Sequence, residues 1–388
     1  MLRPIECFRC LMYLAFLAIA NNLSAATDSA LDGKLEQLVE AVAEGDQSTS
    51  SKRWMAIVDD ATSEDLVAIL TAMNSAQNVG PLAENWIRAA VDAVAERELR
   101  GSGGLPTAAL EAFVLAEDQH PRARRVAYEW LLKVDEPAAA RLLPQMLDDV
   151  SLEMRYDAIG SLLTEADEAT DEETKLQKYQ RAFASARDKT QFQQAADALK
   201  TLGQTPDMAG QFGFLKNWKV VGPFDNTDRE GFDNAYLSPN SIDLAAEYSG
   251  KHGPVVWKDA VAELDDFDDL GMVDFNAALV EEKSVLGYAL TTFVSSKAQS
   301  VECRYESKLA TKLWINGEEV AVKNVYHSGG GFDQYIVPCQ FKAGANAILI
   351  KVCQNEQTQP WTKPWEFRLR ITDSLGGAVQ QASAQLAK

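Results

Sequence analysis

The stretch LWINGEEVAV, residues 313–322, decides how the second half of the chain folds. At its centre is Asn316-Gly317, with apolar residues on both sides. A tight turn of type I′ needs a positive φ at both central residues, and Asn-Gly adopts that conformation more readily than other pairs. The stretch therefore predicts a β-hairpin whose turn is Asn316-Gly317.

The residues around this hairpin also follow strand patterns. From Trp218 onward Gly, Pro, Val and aromatic residues become common. In residues 365–372 apolar side chains alternate with Glu and Arg, so that strand is expected to have one buried and one wet face. The predicted strands are 218–221, 255–257, 287–294, 301–307, 312–315, 335–341, 347–353 and 365–372. Short strands in this number and spacing indicate an antiparallel β-sandwich over residues 212–376.

Residues 27–205 follow a helical pattern instead. They are rich in Ala, Leu, Glu and Gln, with apolar residues three and four positions apart. A motif of Asp followed by Arg-x-x-Ala-x-x-x-Leu occurs twice, 31 residues apart, with Asp118 and Arg124 in one copy and Asp149 and Arg155 in the other. The small Ala lets a neighbouring helix approach closely. This pattern predicts an α-helical repeat domain, with an irregular helical bundle as the alternative.

The two ends of the chain are expected to lie outside both domains. A basic start precedes the ten-residue apolar run Leu11–Ala20, and Ser24-Ala25-Ala26 then supplies small residues for cleavage. Ten apolar residues are too few to span a bilayer, which takes about 20. Residues 1–26 are therefore predicted to be a signal peptide, and the protein to be exported and soluble in the periplasm or outside the cell. The Ala- and Gln-rich residues 377–388 are predicted to be a disordered tail.

Charge and cysteine content narrow the partners further. The formal net charge is −20 at pH 7, and a field of that sign repels phosphate backbones, so no nucleic-acid partner is expected. Beyond the predicted signal peptide the cysteines are Cys303, Cys339 and Cys353. This odd number permits one disulfide with a leftover thiol, or three buried unpaired thiols, and both arrangements stay open.

One combination of features carries a resemblance for the sandwich. The Trp314-Ile315-Asn316-Gly317 hairpin is followed by a segment containing Asp333, and then by Gly344-Ala345-Asn346 before an apolar strand. This combination resembles the galactose-binding-like jelly rolls, which include carbohydrate-binding modules and the sugar-binding domains of β-galactosidase-type glycosidases. The resemblance implies a jelly-roll sandwich of the binding type.

The helical half carries a second resemblance. The repeated Asp and Arg-x-x-Ala resemble HEAT-type repeats, in which an Asp–Arg ladder links successive helix pairs and which commonly bind proteins. A third resemblance extends over most of the mature chain. WKVVGPFDN (218–226) and KVCQNEQ (351–357), followed by Trp361 and Trp365, resemble a family of uncharacterised secreted bacterial proteins with a helical repeat region before a sandwich.

The resemblance to carbohydrate-binding sandwiches implies a site made of aromatic faces and a few hydrogen-bonding side chains. Trp361, on the loop 357–364, is the leading candidate for an exposed platform. Asn316 has the alternative role of a turn residue. The candidate ligand-binding residues are Trp361, Tyr326, Phe332, Asn316, Asp333 and Asn355.

Acidic residues after the first predicted strand raise the question of calcium. Asn226-x-Asp228-x-Glu230-Gly231 matches the start of an EF-hand loop, but its twelfth position is Leu237 where a bidentate Glu is needed. A looser calcium site formed by Asp225, Asp228 and Asp233 remains the one cofactor expectation. A plain polar loop is the alternative.

The sequence contains no H-E-x-x-H, G-x-S-x-G or Walker pattern. We therefore expect an exported, non-enzymatic binding or adaptor protein, whose helical repeats contact a protein and whose sandwich binds a glycan or a second protein. The alternatives are an accessory or unrecognised glycoside hydrolase, and a structural interaction protein without a sugar site.

Overall fold

A computed structural model describes residues 30–101, 103–264 and 266–382 of the 388-residue chain. Within them an α-helical region is followed by an antiparallel sheet region, which confirms the predicted order of α then β. The predicted signal peptide lies outside the described residues. The chain divides into two compact units between Glu168 and Ala169, whereas the change from helix to strand comes later, at 213–217.

The described part of the first unit is helical and has one apolar core, with Leu70, Ile87 and Leu131 fully buried in it. Its helices are α1 (30–43), α2 (Gln47–Asp60), α3 (Leu66–Thr71), α4 (Met73–Ala76), α5 (Pro81–Arg100), α6 (Thr107–Leu115), α7 (Pro121–Val134), α8 (Ala138–Leu142) and α9 (Leu152–Glu168). Local rules explain several helix starts. Proline occupies the first position of α5 and of α7.

Two of the repeated residues form a buried ion pair in this unit. Nη1 and Nη2 of Arg124 donate to the two carboxylate oxygens of Asp149 at 2.8 and 2.6 Å, and both side chains are buried. Nε of Arg155 donates to the backbone carbonyl of Asp149 at 2.9 Å. Asp149, from the second copy of the motif, therefore binds both Arg124 of the first copy and Arg155 of the second.

The second unit begins with helices and continues as strands. Its helices are α10 (Glu172–Ser185), α11 (Lys189–Thr201), α12 (Met208–Phe212) and α13 (Phe275–Ala278). Its strands are β1 (Asn217–Asp225), β2 (Tyr248–Gly250), β3 (Gly253–Val255), β4 (Lys258–Val261), β5 (Met272–Asp274), β6 (Val285–Ser295), β7 (Gln299–Glu306), β8 (Ala310–Ile315), β9 (Glu318–Lys323), β10 (Tyr335–Phe341), β11 (Gly344–Gln354) and β12 (Glu366–Thr372).

The strands form a sandwich of two antiparallel sheets. One sheet has the order β4-β1-β6-β11-β8-β9 and the other the order β10-β7-β12-β5, while β2 and β3 form a separate hairpin. Alternate residues of each strand face the core between the sheets, where Phe293, Ile350 and Phe367 are buried. The outer face of the six-stranded sheet has its own apolar cluster, which includes Phe232 and Leu349.

The hairpin predicted from residues 313–322 is confirmed. Strands β8 and β9 pair with Ile315 opposite Glu318. Asn316 has a φ of 52° and Gly317 a φ of 86°, so both central residues adopt the left-handed conformation that a type I′ turn requires.

Three further features bear on the sequence predictions. Cys303, Cys339 and Cys353 are buried free thiols. Backbone hydrogen bonds attach the start of the predicted tail, because Val379 donates to Ile371 and Ala382 donates to Val294; residues 383–388 lie outside the described part. No helix among the described residues has the length and apolar content needed to cross a membrane.

Candidate functional site

A depression forms where β1 and β11 end and the β9–β10 loop crosses them. Asn226 follows β1 and Asn355 follows β11. Ser284 joins the two, because its carbonyl accepts from the N–H of Asn226 and its N–H donates to the carbonyl of Asn355, each at 2.9 Å. The depression has a volume of about 460 Å³. It is lined by Arg229, Asn324, Val325, Tyr326, His327, Asn355 and Gln357.

Asn226 fixes one wall of the depression. Its side chain is 1% exposed, and its Nδ2 donates to the carbonyl of Gln354 at 2.9 Å and to the hydroxyl of Tyr326 at 3.2 Å. The phenol accepts this bond and keeps its own proton as a donor. Burial raises the pKa of Tyr326 to about 12, so the hydroxyl stays protonated at neutral pH.

The facing wall contains His327 and Asn355. Nε2 of His327 lies 2.8 Å from Oδ1 of Asn355, and the N–H of Gln357 donates to the same oxygen at 3.1 Å. Because the backbone N–H of Gln357 requires an acceptor at that position, the atom is the amide oxygen and not the nitrogen. Nε2 of His327 is therefore the donor of this hydrogen bond.

Several polar atoms around the depression have no hydrogen-bond partner among the described residues. Nδ2 of Asn355 and Oε1 of Gln357 belong to residues that line it, whereas Oδ1 of Asn226 faces Gly231. Asn355 is 1% exposed, so its amide donor is cut off from bulk solvent. An unpaired buried polar group costs about 1–3 kcal/mol, and such groups are usually satisfied by ordered water or by a bound ligand.

An aromatic face stands beside these groups. Trp361 is 63% exposed, and its indole meets the His327 ring edge to face, with ring centres 5.3 Å apart at 84°. Val325, also on the rim, is 50% exposed. The site therefore combines apolar surface with hydrogen-bonding groups.

The loop that carries Trp361 is fixed by hydrogen bonds to its backbone carbonyls. Nε2 of Gln354 donates to the carbonyl of Thr362 at 3.0 Å, and Nζ of Lys283 donates to the same carbonyl at 2.6 Å. The hydroxyl of Thr362 donates within the loop to the carbonyl of Gln357 or of Gln359, at 2.8 and 2.7 Å. Trp361 thus keeps its position without packing in the core, so a ligand that contacts the indole would not have to order this loop.

Arg229 closes the third side of the depression. Its guanidinium lies 5.1 Å from the centre of the Tyr326 ring, and its Nε and Nη2 donate to the two carboxylate oxygens of Glu356 at 3.2 and 2.6 Å. Asp228 and Arg229 have φ values of 55° and 66°. Two consecutive left-handed residues that are not glycine are unusual, and such backbone is found most often at functional sites.

The predicted ligand-binding residues separate into three places. Tyr326 and Asn355 line the depression, and Trp361 lies beside it against His327. Phe332 instead packs against Phe212, with ring centres 5.0 Å apart, and Asp333 binds two arginines, accepting from Nε of Arg370 at 2.7 Å and from Nη1 of Arg304 at 3.0 Å.

Asn316 belongs to a third place, the β8–β9 turn. Its Oδ1 accepts from the N–H of Ala347 at 3.1 Å, and its Nδ2 donates to Oδ1 of Asn346 at 3.0 Å. These bonds tie the turn to the start of β11, which is the turn role considered as the alternative.

The three aspartates considered for calcium have protein partners or unusual backbone. Asp225 accepts from the hydroxyl of Thr227 at 2.7 Å, and Asp233 accepts from Nζ of Lys312 at 3.1 Å. Asp228 has the positive φ already described. Across residues 30–101, 103–264 and 266–382, no group of three or more His, Cys, Asp or Glu side chains is arranged to hold a metal ion.

The sequence prediction missed Arg229 and Gln357 as site residues and did not select His327. Arg229 comes 126 positions before Asn355 in the chain, and nothing local indicates that the two meet. The nearest signal for Gln357 is its place directly after a predicted strand, close to Trp361, where a loop is expected to present side chains at a sheet end.

Comparisons with known proteins do not assign this chain to a family. No known protein family and no curated protein matches the chain. Among solved structures, a β-glucosidase from Kluyveromyces marxianus is 7% identical with a TM-score of 0.25, over 76% of this chain and 36% of its own. The alkylpurine DNA glycosylase AlkC of Pseudomonas fluorescens is 11% identical with a TM-score of 0.21, over 92% of this chain and 98% of its own. This chain thus spans about a third of the glucosidase. Neither similarity is high enough to indicate a function.

Proposed function

We propose that the β-sandwich is a carbohydrate-binding module and that the depression beside Trp361 is its glycan site. The observation that carries this proposal is an exposed indole next to a buried amide donor, Nδ2 of Asn355, and an amide acceptor, Oε1 of Gln357, neither of which has a partner. A sugar presents a C–H face suited to an aromatic ring, and hydroxyls that both donate and accept. A purely apolar ligand would leave the amides unpaired.

The proposed role is binding without catalysis. The residues that line the depression are amides, a phenol, an imidazole, a guanidinium and a valine. The carboxylate of Glu356, which lies between Asn355 and Gln357 in the chain, is bound to Arg229, which lowers the pKa of Glu356 and keeps it ionised. Glycoside hydrolysis needs two carboxyl groups across the scissile bond, one of them a proton donor. The groups around the depression therefore favour recognition over hydrolysis.

The test is a glycan array probed with the full chain, in calcium and in chelator. We expect binding to a limited set of neutral glycans, and loss of that binding in Trp361→Ala. The control is Val261→Ala, an equally exposed apolar residue on β4. Silence across the array, or equal binding by the Trp361 variant, would remove the glycan site and leave the structural interaction protein as the better reading. Turnover of a chromogenic glycoside would favour the hydrolase.

A second candidate function, protein contact by the helical unit, is favoured by one observation. A groove of about 540 Å³ lies between α2 and α5, lined by Gln47, Ser51, Leu82, Asn85, Trp86 and Ala89. Leu82 is 57% exposed there. An exposed apolar groove with polar edges is typical of a protein-binding surface. Replacing Leu82 with Glu should abolish capture of a partner from a periplasmic extract, while Leu99→Glu, at another exposed leucine of α5, should not.

Together these proposals describe an exported adaptor that holds a protein with its helical unit and a glycan with its sandwich. The strongly acidic charge disfavours nucleic acid as a partner. Export is tested by fusing residues 1–26 to a reporter that is active only outside the cytoplasm. Activity with the fusion, and none when Leu14 and Leu17 of the apolar run are replaced by Asp, is the expected result.

A further inference from the structure

Lys351 is a charged residue in an unusual place. It lies on β11, opposite Tyr288 of β6 and Lys312 of β8, on the outer face of the six-stranded sheet. It is 2% exposed. Its Nζ donates to three backbone carbonyls, those of Gly231 at 2.6 Å, Phe232 at 2.7 Å and Asn234 at 2.9 Å. An ammonium group has three N–H donors, so each has a partner.

The surroundings of Lys351 contain few compensating charges. Asp233 is bound to Lys312, Cys353 is a neutral thiol because burial raises the pKa of that group to about 12, and Glu319 lies further out on β9. Burial lowers the pKa of Lys351 to about 8, so the amine is still mainly protonated at pH 7. A buried ammonium is retained at a cost, which its three carbonyl contacts must offset.

The carbonyls that Lys351 binds belong to residues shortly after Arg229, which lines the candidate site. The segment 226–234 contains the two left-handed residues, and one of them, Arg229, lies over Tyr326. Strained backbone persists only where neighbouring contacts fix it. Gly231 and Phe232 come two and three residues after Arg229, and Lys351 binds the carbonyls of both.

We propose that Lys351 is a positioning residue for the candidate glycan site: its ammonium is a built-in cation around which residues 231–234 fold, and that fold places Arg229 over Tyr326. Calcium loops likewise use backbone carbonyl oxygens, together with carboxylates, to bind a cation. Here the protein supplies the cation itself, within the segment whose aspartates suggested a metal. The effect on ligand binding rests on the proposed function, whereas the effect on the segment does not.

The test compares Lys351→Met with Lys219→Met, an exposed lysine of β1 in the same sheet. In Lys351→Met we expect amides of 226–234 to exchange with deuterium at least tenfold faster, amides of β6 and β11 to stay protected, and affinity for an array-identified glycan to fall at least fivefold. Lys219→Met should change none of these. Adding calcium or chelator to the unmodified protein should leave the exchange of 226–234 unchanged.

A spectroscopic readout separates positioning from general stability. With 3-fluorotyrosine incorporated, the Tyr326 resonance, assigned by its absence in Tyr326→Phe, should shift in Arg229→Met, because the guanidinium leaves the ring. Lys351→Met should produce the same shift. If the segment stays protected in Lys351→Met, if calcium protects it, or if the two shifts differ, the proposal is wrong.

Two further outcomes stay decisive. If Lys351→Met does not fold, nitrogen-15 NMR of the unmodified protein should show a slowly exchanging Lys351 ammonium coupled to the carbonyls of 231, 232 and 234, and its absence would overturn the proposal. If no glycan binds, the proposed function fails, while the exchange and fluorine measurements still decide the role of Lys351.

Discussion

Nε2 of His327 and Oδ1 of Asn355 lie 2.8 Å apart, and this contact links the β9–β10 loop to the end of β11. His327 has a φ of 55°, so the loop adopts an unfavourable backbone conformation to make it. The same contact turns Nδ2 of Asn355 away from His327 and leaves that donor without a partner. This hydrogen bond thus fixes the orientation of the Asn355 amide and leaves its buried donor unpaired.

Removing the Trp361 ring should weaken glycan binding without weakening the fold. A single aromatic contact contributes about 1 kcal/mol, so Trp361→Ala should lower affinity roughly fivefold. The side chain is 63% exposed, and the free energy of unfolding should change by no more than about 0.5 kcal/mol. Titration calorimetry and urea unfolding measure the two quantities. A large loss of stability would place Trp361 in the structural core instead.

Gln357→Met should separate binding from stability in the opposite direction. Oε1 of Gln357 is buried without a partner, so replacing the amide with a thioether of similar length should leave stability unchanged or raise it by up to about 1 kcal/mol. Affinity for the glycan should nevertheless fall about tenfold, which corresponds to one lost hydrogen bond. The control is Gln340→Met, because Gln340 is exposed and already bound to Ser300. A loss of stability with unchanged affinity would contradict the site.

The buried pair of Arg124 and Asp149 should be among the most sensitive positions of the helical unit. Asp149→Ala leaves a buried guanidinium unpaired and should cost about 3–5 kcal/mol. The double variant Arg124→Met with Asp149→Leu should cost far less, because no charge is left alone. Arg100→Ala, which breaks an exposed pair with Glu96, should cost less than about 1 kcal/mol. Thermal and urea unfolding compare the four proteins, and equal losses in the single and double variants would argue against the charge explanation.

Asp333 should make stability sensitive to acid. Burial alone would raise the pKa of Asp333, but the hydrogen bonds and charges of Arg370 and Arg304 outweigh it and lower the pKa below the ordinary 3.8. A carboxylate with a depressed folded pKa adds stability that is fully present above its unfolded pKa and is lost as pH falls through the folded value. The loss should therefore occur below about pH 4.

The matched variant for this titration is Asp333→Asn. It should be less stable than the unmodified protein at pH 6, because the buried Arg370 and the half-buried Arg304 lose this anion, and it should lose less additional stability on going to pH 3. Urea unfolding at the two pH values measures both differences. An identical acid loss in the two proteins would assign the acid sensitivity to other carboxylates.

Much of the fold could be predicted because it follows local rules. Asn316-Gly317 makes a hairpin turn since Asn and Gly tolerate a positive φ, and the alternation along 365–372 predicts the strand that the structure contains. The prediction that its polar face is wet is wrong, because Arg368 and Arg370 are buried, bound to Glu306 and Asp333. The candidate site was predicted in part. Trp361 was expected to be exposed because it lies on a loop, and Asn355 was selected beside it. Asp333 was selected as well, but a sequence pattern does not show that two arginines on neighbouring strands bind it.

The sequence by itself determined the order of helices and strands, the turn at Asn316-Gly317 and the placement of Trp361 on a loop. Each of these features depends on residues that are close together in the sequence. Only the tertiary structure decided which loops meet. It brought Arg229 to Tyr326 and Glu356, and Lys351 to the carbonyls of residues 231, 232 and 234, across more than 90 residues of chain in each case. These long-range contacts depend on the order of strands in the sheet and on the face of the sheet on which each side chain lies. Neither can be predicted from local sequence preferences.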